Sequence, residues 1–137
     1  MMSYWKNMAI HRLSDYEKME QALSQLPMVI ASYRCMGSKG EKLDAMAKKT
    51  TLRQRLGAVE QWLKLTDKGL RVLTPEERLV LQMLYIAPQK GNIQRLCGLL
   101  ECEQSTVYRR RDKALEKFTV AMYGPVARAG NTCKVRR

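Results

Sequence analysis

The sequence has few of the residues on which metal sites, disulfide networks and β-rich folds depend. It contains four cysteines and one histidine, and no two cysteines are spaced as a CxxC pair. We therefore expect neither a zinc site nor a disulfide framework, and we interpret the cysteines as reduced, small apolar residues. Aromatic residues make up only 7% of the chain and glycines number 8, which favours helices over a sandwich of sheets. The expected fold class is all-α, without a cofactor.

The sequence also lacks long apolar runs and catalytic motifs. No segment reaches the length of a membrane span, and residues 1–13 are too polar for the core of a signal peptide. We expect a cytoplasmic protein with no membrane partner. There is no glycine-rich phosphate loop and no HExxH, and His11 lies on an amphipathic segment where surface histidines are common. The sequence therefore predicts no enzyme activity.

Acidic residues are outnumbered, 13 against 25 basic ones, which gives a net charge of +12. A polyanion is the natural partner of such a chain. The charge is uneven: residues 1–73 carry 13 basic and 7 acidic groups, residues 74–103 carry 3 and 4, and residues 104–137 carry 9 and 2. The excess per residue is thus greatest in the last quarter of the chain.

Residues 3–34 show apolar positions at intervals of three and four, which predicts a long amphipathic helix with a coiled-coil-like seam. Its two registers are Ala9, Tyr16, Leu23, Ile30 and Trp5, Met19, Leu26, Tyr33. Pro27 lies inside this pattern. A proline removes one helical hydrogen bond and crowds the preceding turn, so we expect a kink or break near Leu26.

A second apolar stripe follows a glycine-containing loop at residues 37–40, and its helix is expected to begin between residues 41 and 51. The stripe comprises Leu52, Leu56, Val59, Leu63 and Leu70, with Trp62 beside it. Two helices joined by a short loop form an antiparallel hairpin. The seam of this hairpin could pack within its own subunit or form a homodimer through the N-terminal helices, and the pattern leaves both open.

Residues 74–77 carry the best local signal in the chain. Thr74 can cap free backbone N–H groups, Pro75 fits the first helical position, and Glu77 can complete a capping box. The predicted helix ends at Pro88, and Asn92 is expected to cap the next one.

A three-residue turn, residues 101–103, precedes the most basic helix of the chain. That helix has an apolar seam of Val107, Ala114, Leu115 and Phe118, and Gly124 followed by Pro125 should stop it. Two short helices with such a turn form a helix-turn-helix. The predicted organisation is a helical hairpin over residues 1–73, a helix-turn-helix domain over residues 74–123 and a basic flexible tail over residues 124–137.

Three segments resemble the C-terminal helix-turn-helix domain of bacterial sigma factors: LTPEERLVLQMLYI (73–86), NIQRLCGLLEC (92–102) and QSTVYRRRDKALEKF (104–118). In that family the same spacing ends in a Thr-Val or Arg-Val, a basic run and an Ala-Leu-x-Lys-Leu stop. The N-terminal helical pair, with a C-terminal Ala-Leu-x-x-Phe…Tyr-Gly, is similar to phage-encoded regulators of the ArpU and RinA type. Those are small sigma-like proteins that control late phage or prophage genes.

Two positions depart from the sigma-like pattern. Glu101 stands where the turn usually has glycine, so it must adopt a left-handed conformation or loosen the turn. Arg111 stands where the pattern has a leucine in the seam. We expect Arg111 to be structural, either extending outward or pairing with a carboxylate, for which Glu76 and Glu77 are candidates.

Residues at the start of a recognition helix contact bases, and flanking cations contact phosphates. Our candidates for base contacts are Gln104, Ser105, Thr106 and Arg109, although Ser105 could equally be an N-terminal cap. Our candidates for phosphate contacts are Lys90, Arg95, Tyr108, Arg110 and Lys113. Tyr108 could instead touch a thymine methyl group or pack against a neighbouring helix. Basic residues of the tail, such as Arg128 and Lys134, could follow the duplex as an arm or remain solvated.

The sequence thus leads to the expectation of a sequence-specific transcriptional regulator that binds double-stranded DNA, with RNA polymerase as a further potential partner. Two alternatives stay open. Small terminase subunits, which package phage DNA, also join a helix-turn-helix to a helical oligomerisation region. An adaptor that binds RNA polymerase through the hairpin would need little DNA specificity.

Overall fold

The computed structural model describes residues 2–34 and 37–125, and within these ranges it contains helices and no strand, which confirms the all-α prediction. The predicted tail and Cys35, Cys133 lie outside the described residues, apart from Gly124 and Pro125. The helices are α1 (Met2–Ser14), α2 (Tyr16–Ser32), α3 (Lys39–Leu70), α4 (Pro75–Leu81), which continues as a π-helical turn (Gln82–Ile86), α5 (Asn92–Leu100) and α6 (Gln104–Tyr123).

The chain forms two compact units, which we call the α6 unit (residues 1–16 and 65–137) and the hairpin unit (Glu17–Lys64). The predicted boundary at residues 73 and 74 does not coincide with this division. The physical reason is that Ala9 and Leu13 of α1 are fully buried in the core beneath α6, and Leu73 is buried in the same core. The remaining buried members of this core are Leu81, Ala114, Leu115 and Phe118.

Gly69 allows α3 and α6 to approach closely within the α6 unit. A Cβ atom built on Gly69 would lie 2.5 Å from Met122 Sδ and 3.1 Å from Phe118 Cε1. Helix α3 ends one residue after Gly69, at Leu70. Because Gly69 has no side chain, Phe118 and Met122 of α6 can pack directly against the backbone of α3.

Polar contacts join α1 and the start of α2 to the last turns of α3. Arg12 Nε donates a hydrogen bond to Thr66 Oγ1 at 2.6 Å, and Thr66 is fully buried. The Tyr16 hydroxyl donates to the Asp67 carboxylate. Because a buried hydroxyl is costly without a partner, these bonds fix the end of α3 against α1.

The hairpin unit consists of most of α2 and the first 26 residues of α3, counted from Lys39 to Lys64. Its buried residues are Leu26, Ile30, Val59 and Leu63, all of which belong to the predicted seams. Several other apolar side chains remain exposed: Met28, Val29, Leu43 and Met46. The small core of this unit therefore leaves much of its apolar surface in water.

Two sequence predictions for the hairpin were wrong. Of the kink or break expected near Leu26, the break is wrong, and the kink stays a prediction: α2 runs through Pro27, and the interruption lies at Asp15 instead. Pro27 is exposed, so the carbonyl freed by its missing N–H can turn to water. The second helix begins at Lys39 rather than after residue 41, because Ser38 and Glu41 form a reciprocal capping box with both hydrogen bonds at 3.2 Å.

Candidate nucleic-acid interface

A small core of three helices holds α6 in place. Val80 of α4, Leu96 of α5 and Val107 of α6 are all fully buried and pack together. Partly buried side chains surround them, and these are Leu79, Met83, Leu84, Ile93, Cys97, Leu100 and Cys102. Cys97 and Cys102 thus act as small apolar residues, as predicted. Because one face of α6 is committed to this core, the opposite face points to solvent.

The predicted capping box at α4 is confirmed. Glu77 N donates to Thr74 Oγ1 at 3.2 Å, and Thr74 N donates to Glu77 Oε1 at 2.9 Å. Lys117 Nζ of α6 lies 3.1 Å from the same carboxylate. Burial opposes ionisation of Glu77, but the bonds from Thr74 and the charge of Lys117 outweigh it, and the pKa of Glu77 is lowered. The start of α4 is therefore tied to the middle of α6.

The turn between α5 and α6 has the predicted three residues. Glu101 adopts the left-handed conformation, with φ 52° and ψ 52°, so the turn keeps its geometry without glycine. The Cys102 amide donates to the Cys97 carbonyl at 3.1 Å and closes the end of α5. Glu103 occupies the N-cap position of α6 and makes no side-chain capping bond. Ser105 is therefore not the N-cap residue of α6, and its side chain is exposed.

The predicted cap of α5 was wrong. Gly91, with φ 74°, is the N-cap residue, and Asn92 is the first residue of the helix. Asn92 is buried, and its side-chain amide donates to the Met83 carbonyl in the π-helical turn. Asn92 thus anchors α5 to the preceding helix rather than capping α5, because the wider π-turn leaves that carbonyl available.

The solvent face of α6 brings together most of the predicted base contacts. Gln104, Ser105 and Arg109 are exposed, and Thr106 is half-buried beside them. Arg109 Nη2 lies 3.5 Å from Thr106 Oγ1, at the outer limit of a hydrogen bond. The amide, hydroxyl and guanidinium groups therefore form one polar row over the first two turns of the helix.

The predicted phosphate contacts are more scattered. Lys113 is exposed on α6, while Lys90 and Arg95 are exposed in the turn before α5 and on α5 itself. Arg95 Nη1 donates to Gln89 Oε1 at 3.0 Å. Arg110 is half-buried, and its Nη1 lies 3.5 Å from Glu76 Oε2. Since such a partly exposed ion pair contributes little, a stronger anion can displace Glu76.

Arg111 pairs with a carboxylate, as expected, but its partner is Asp112 and neither of the candidates, Glu76 and Glu77. Its Nε and Nη2 atoms both donate to Asp112 Oδ1, at 3.0 and 2.9 Å. The guanidinium carbon lies 5.0 Å from the centroid of the Tyr108 ring. The long side chain can leave the seam and fold back over its own helix, which keeps its charge partly in water. The two glutamates are instead occupied by Arg110 and Lys117.

Two residues near this face were missed by sequence reasoning. Asp112 accepts two hydrogen bonds from Arg111, and the charges of Asp112 and Arg111 both act on the pKa of the half-buried Tyr85. Burial raises the pKa of the Tyr85 hydroxyl, an effect that Arg111 opposes and Asp112 reinforces. The spacing of Tyr108 and Arg111, three residues apart on a helix, is a signal that could have identified their contact.

The face has the chemistry of a polyanion-binding surface: planar cations, an ammonium group, an amide and hydroxyls on one helix.

Within residues 2–34 and 37–125, no three His, Cys, Asp or Glu side chains are grouped so that they could hold a metal ion. None of the helices in the described part of the chain has the length and apolarity to cross a membrane. Comparisons with protein-family models, curated proteins and solved structures give no match.

Proposed function

We propose that this chain is a sequence-specific, DNA-binding transcriptional regulator that reads double-stranded DNA with the first two turns of α6. The observation that supports this most is the exposed row of Gln104, Ser105 and Arg109, presented by a helix whose other face is buried. The major groove of B-DNA admits an α-helix, and these side-chain types hydrogen-bond base edges there. The resemblance in sequence extends the proposal to a phage or prophage regulator of the ArpU and RinA type, acting in the cytoplasm on late genes.

Arg109 is the residue to which we assign the main base contact. It is exposed, and its Nη2 atom lies 3.5 Å from the Thr106 hydroxyl oxygen. Arginine recognises guanine through two parallel hydrogen bonds to O6 and N7. Gln104 and Ser105, one turn earlier, would contact the adjacent base pairs.

Phosphate contacts would surround this row. Arg95 extends from α5, which corresponds to the helix that crosses the DNA backbone in helix-turn-helix proteins, Lys90 lies in the turn before it, and Lys113 lies farther along α6. Arg110 would exchange Glu76 for a phosphate group, which is a stronger partner than a carboxylate 3.5 Å away. These contacts would set affinity and orientation rather than sequence preference.

The experiment that tests the proposal compares two variants that lose the same charge. DNA fragments selected from a random pool by the full-length protein supply the binding site. Arg109→Ala should weaken binding to this site by on the order of 1–3 kcal/mol and relax the preference at one base position. Arg53→Ala, an exposed arginine of α3, is the matched control and should leave the preference unchanged. An equal loss by Arg109→Ala on every sequence would make Arg109 a phosphate contact.

Partners beyond DNA are part of the same proposal. The exposed Met28, Leu43 and Met46 of the hairpin unit favour a second copy of the chain or RNA polymerase as a partner of these helices. A homodimer would space two copies of α6 for half-sites about 34 Å apart, or a multiple of that. The mass of the full-length protein in solution tests this. A monomer or dimer supports the regulator, whereas a closed ring of many subunits would favour a DNA-packaging component.

A further inference from the structure

Tyr108 is an aromatic residue on the solvent face of α6, directly beside Arg109. Its side chain is 36% exposed, although most of a tyrosine ring is apolar. On the helix it lies on the flank of the polar row, one turn after Gln104 and one turn before Arg111. The ring therefore lies where a groove-binding helix contacts its ligand, and Tyr108 is not part of either core of the α6 unit.

The Tyr108 ring is held from two sides. Gln104 Nε2 donates a hydrogen bond to the Tyr108 hydroxyl at 3.2 Å. The Arg111 guanidinium carbon lies 5.0 Å from the ring centroid, a distance typical of a cation–π contact. A side chain fixed before binding loses less conformational entropy when it is bound, so its contacts contribute more to affinity.

Arg111 is itself fixed and partly neutralised. Two of its nitrogens bond Asp112 Oδ1, at 3.0 and 2.9 Å. The carboxylate bonds at Nε and Nη2 hold the Arg111 guanidinium beside the Tyr108 ring, where it serves as a platform for the ring. This gives a physical reason for an arginine at a position where a leucine would fill the seam.

We propose that Tyr108 determines specificity by packing the free part of its ring against the C5-methyl group of a thymine, and that Arg111 and Asp112 position the ring. The inference rests on the proposed function. The C5-methyl group of thymine is the apolar group that base pairs present in the major groove. Gln104 holds the Tyr108 hydroxyl from one side and Arg111 lies over the ring, so the apolar surface that a ligand would bury is the rest of the ring.

The test removes one methyl group at a time from the selected DNA. Each thymine of the site is replaced in turn by deoxyuridine, which differs only at C5, and the Kd of the full-length protein is measured. We expect one position at which deoxyuridine weakens binding about fourfold, as burial of one methyl group implies. Tyr108→Ala should abolish this difference, and Tyr108→Phe should keep it, because the ring remains.

The positioning residues are tested with the same ratio of affinities for thymine and deoxyuridine, not with total affinity. Arg111→Met and Asp112→Asn should each reduce the ratio, whereas Lys113→Met should lower affinity for both DNAs and leave the ratio intact. If Tyr108→Phe lowered affinity equally for the thymine and deoxyuridine DNAs, the hydroxyl would be a phosphate contact, and the inference would be overturned. The inference would also be overturned if no position of the site depended on the methyl group, or if the methyl dependence survived Tyr108→Ala. An enriched motif with no methyl effect would refute only this inference, while the absence of any motif would refute the proposed function as well.

Discussion

Replacing Gly69 by alanine should destabilise the α6 unit, although alanine is the better helix former. The new Cβ atom would lie 2.5 Å from Met122 Sδ and 3.1 Å from Phe118 Cε1. The sulfur must retreat by about 1 Å, and the rigid phenyl ring by a few tenths, to restore ordinary contact. Phe118 is fully buried in the core, so its ring has little room to move.

The expected magnitude has two opposing parts. Overpacking of a filled core costs about 1–3 kcal/mol. Replacing glycine by alanine inside a helix contributes about 0.5–1 kcal/mol in the opposite direction. Gly57 is the matched control, because it lies in the same helix and a Cβ atom there would have nothing within 4 Å. Gly57→Ala should therefore be stabilising, and the difference between the two variants isolates the steric cost, about 1–3 kcal/mol.

Urea unfolding followed by tryptophan fluorescence measures both variants. Trp5 belongs to the α6 unit and Trp62 to the hairpin unit, so a Trp62→Phe background makes Trp5 the reporter for Gly69→Ala, and a Trp5→Phe background makes Trp62 the reporter for Gly57→Ala. Met122→Ala should partly relieve Gly69→Ala, which gives a coupling free energy in a double-mutant cycle. If Gly69→Ala stabilised the protein as much as Gly57→Ala, the close approach of α6 to Gly69 would be refuted.

Three further changes test other parts of the fold by urea unfolding. Phe118→Ala should cost about 3–5 kcal/mol, because the side chain is fully buried in the core of the α6 unit; a cost below 1 kcal/mol would contradict that core. Glu101→Gly should stabilise by about 1 kcal/mol, since it removes a left-handed non-glycine residue; no gain would indicate that the turn is not strained. Glu77 has a lowered pKa, so its stabilisation is present above the ordinary value of 4.5 and is lost as pH falls through the lowered pKa. Glu77→Gln should therefore be less stable at neutral pH and lose less stability on acidification; an unchanged acid dependence would contradict the bonds to Thr74 and Lys117.

Much of the candidate interface could be predicted from local sequence. The capping box of Thr74 and Glu77, the three-residue turn and the end of α6 at Gly124 all follow from rules that involve neighbouring residues. The seam of Val107, Ala114, Leu115 and Phe118 is buried as its periodicity indicates. These features are local, which is why a single sequence carries them.

The start of α3 was missed although its capping box, Ser38 and Glu41, is local. Other errors arose where the sequence does not show which partner a side chain takes. Asn92 has the side chain of a good cap, but the Met83 carbonyl offers a buried hydrogen bond that the sequence does not reveal. The carboxylate partner of each arginine likewise depends on which turn of α6 faces α4. Arg110 pairs with Glu76 of α4, whereas Arg111 bonds Asp112 on its own helix. The assignment of α1 to the α6 unit depends on the burial of Ala9 and Leu13 against helices more than 60 residues away in sequence.

One measurement tests the central claim most directly: selection of bound fragments from random double-stranded DNA by the full-length protein, at a low and a high salt concentration. The account predicts an enriched motif at both, with an affinity that falls as salt rises because Lys and Arg release counterions from phosphates. The specificity for that motif should persist at the higher salt concentration, since base contacts are little screened. A steep loss of affinity with salt and no enriched motif at either concentration would contradict sequence-specific recognition by α6.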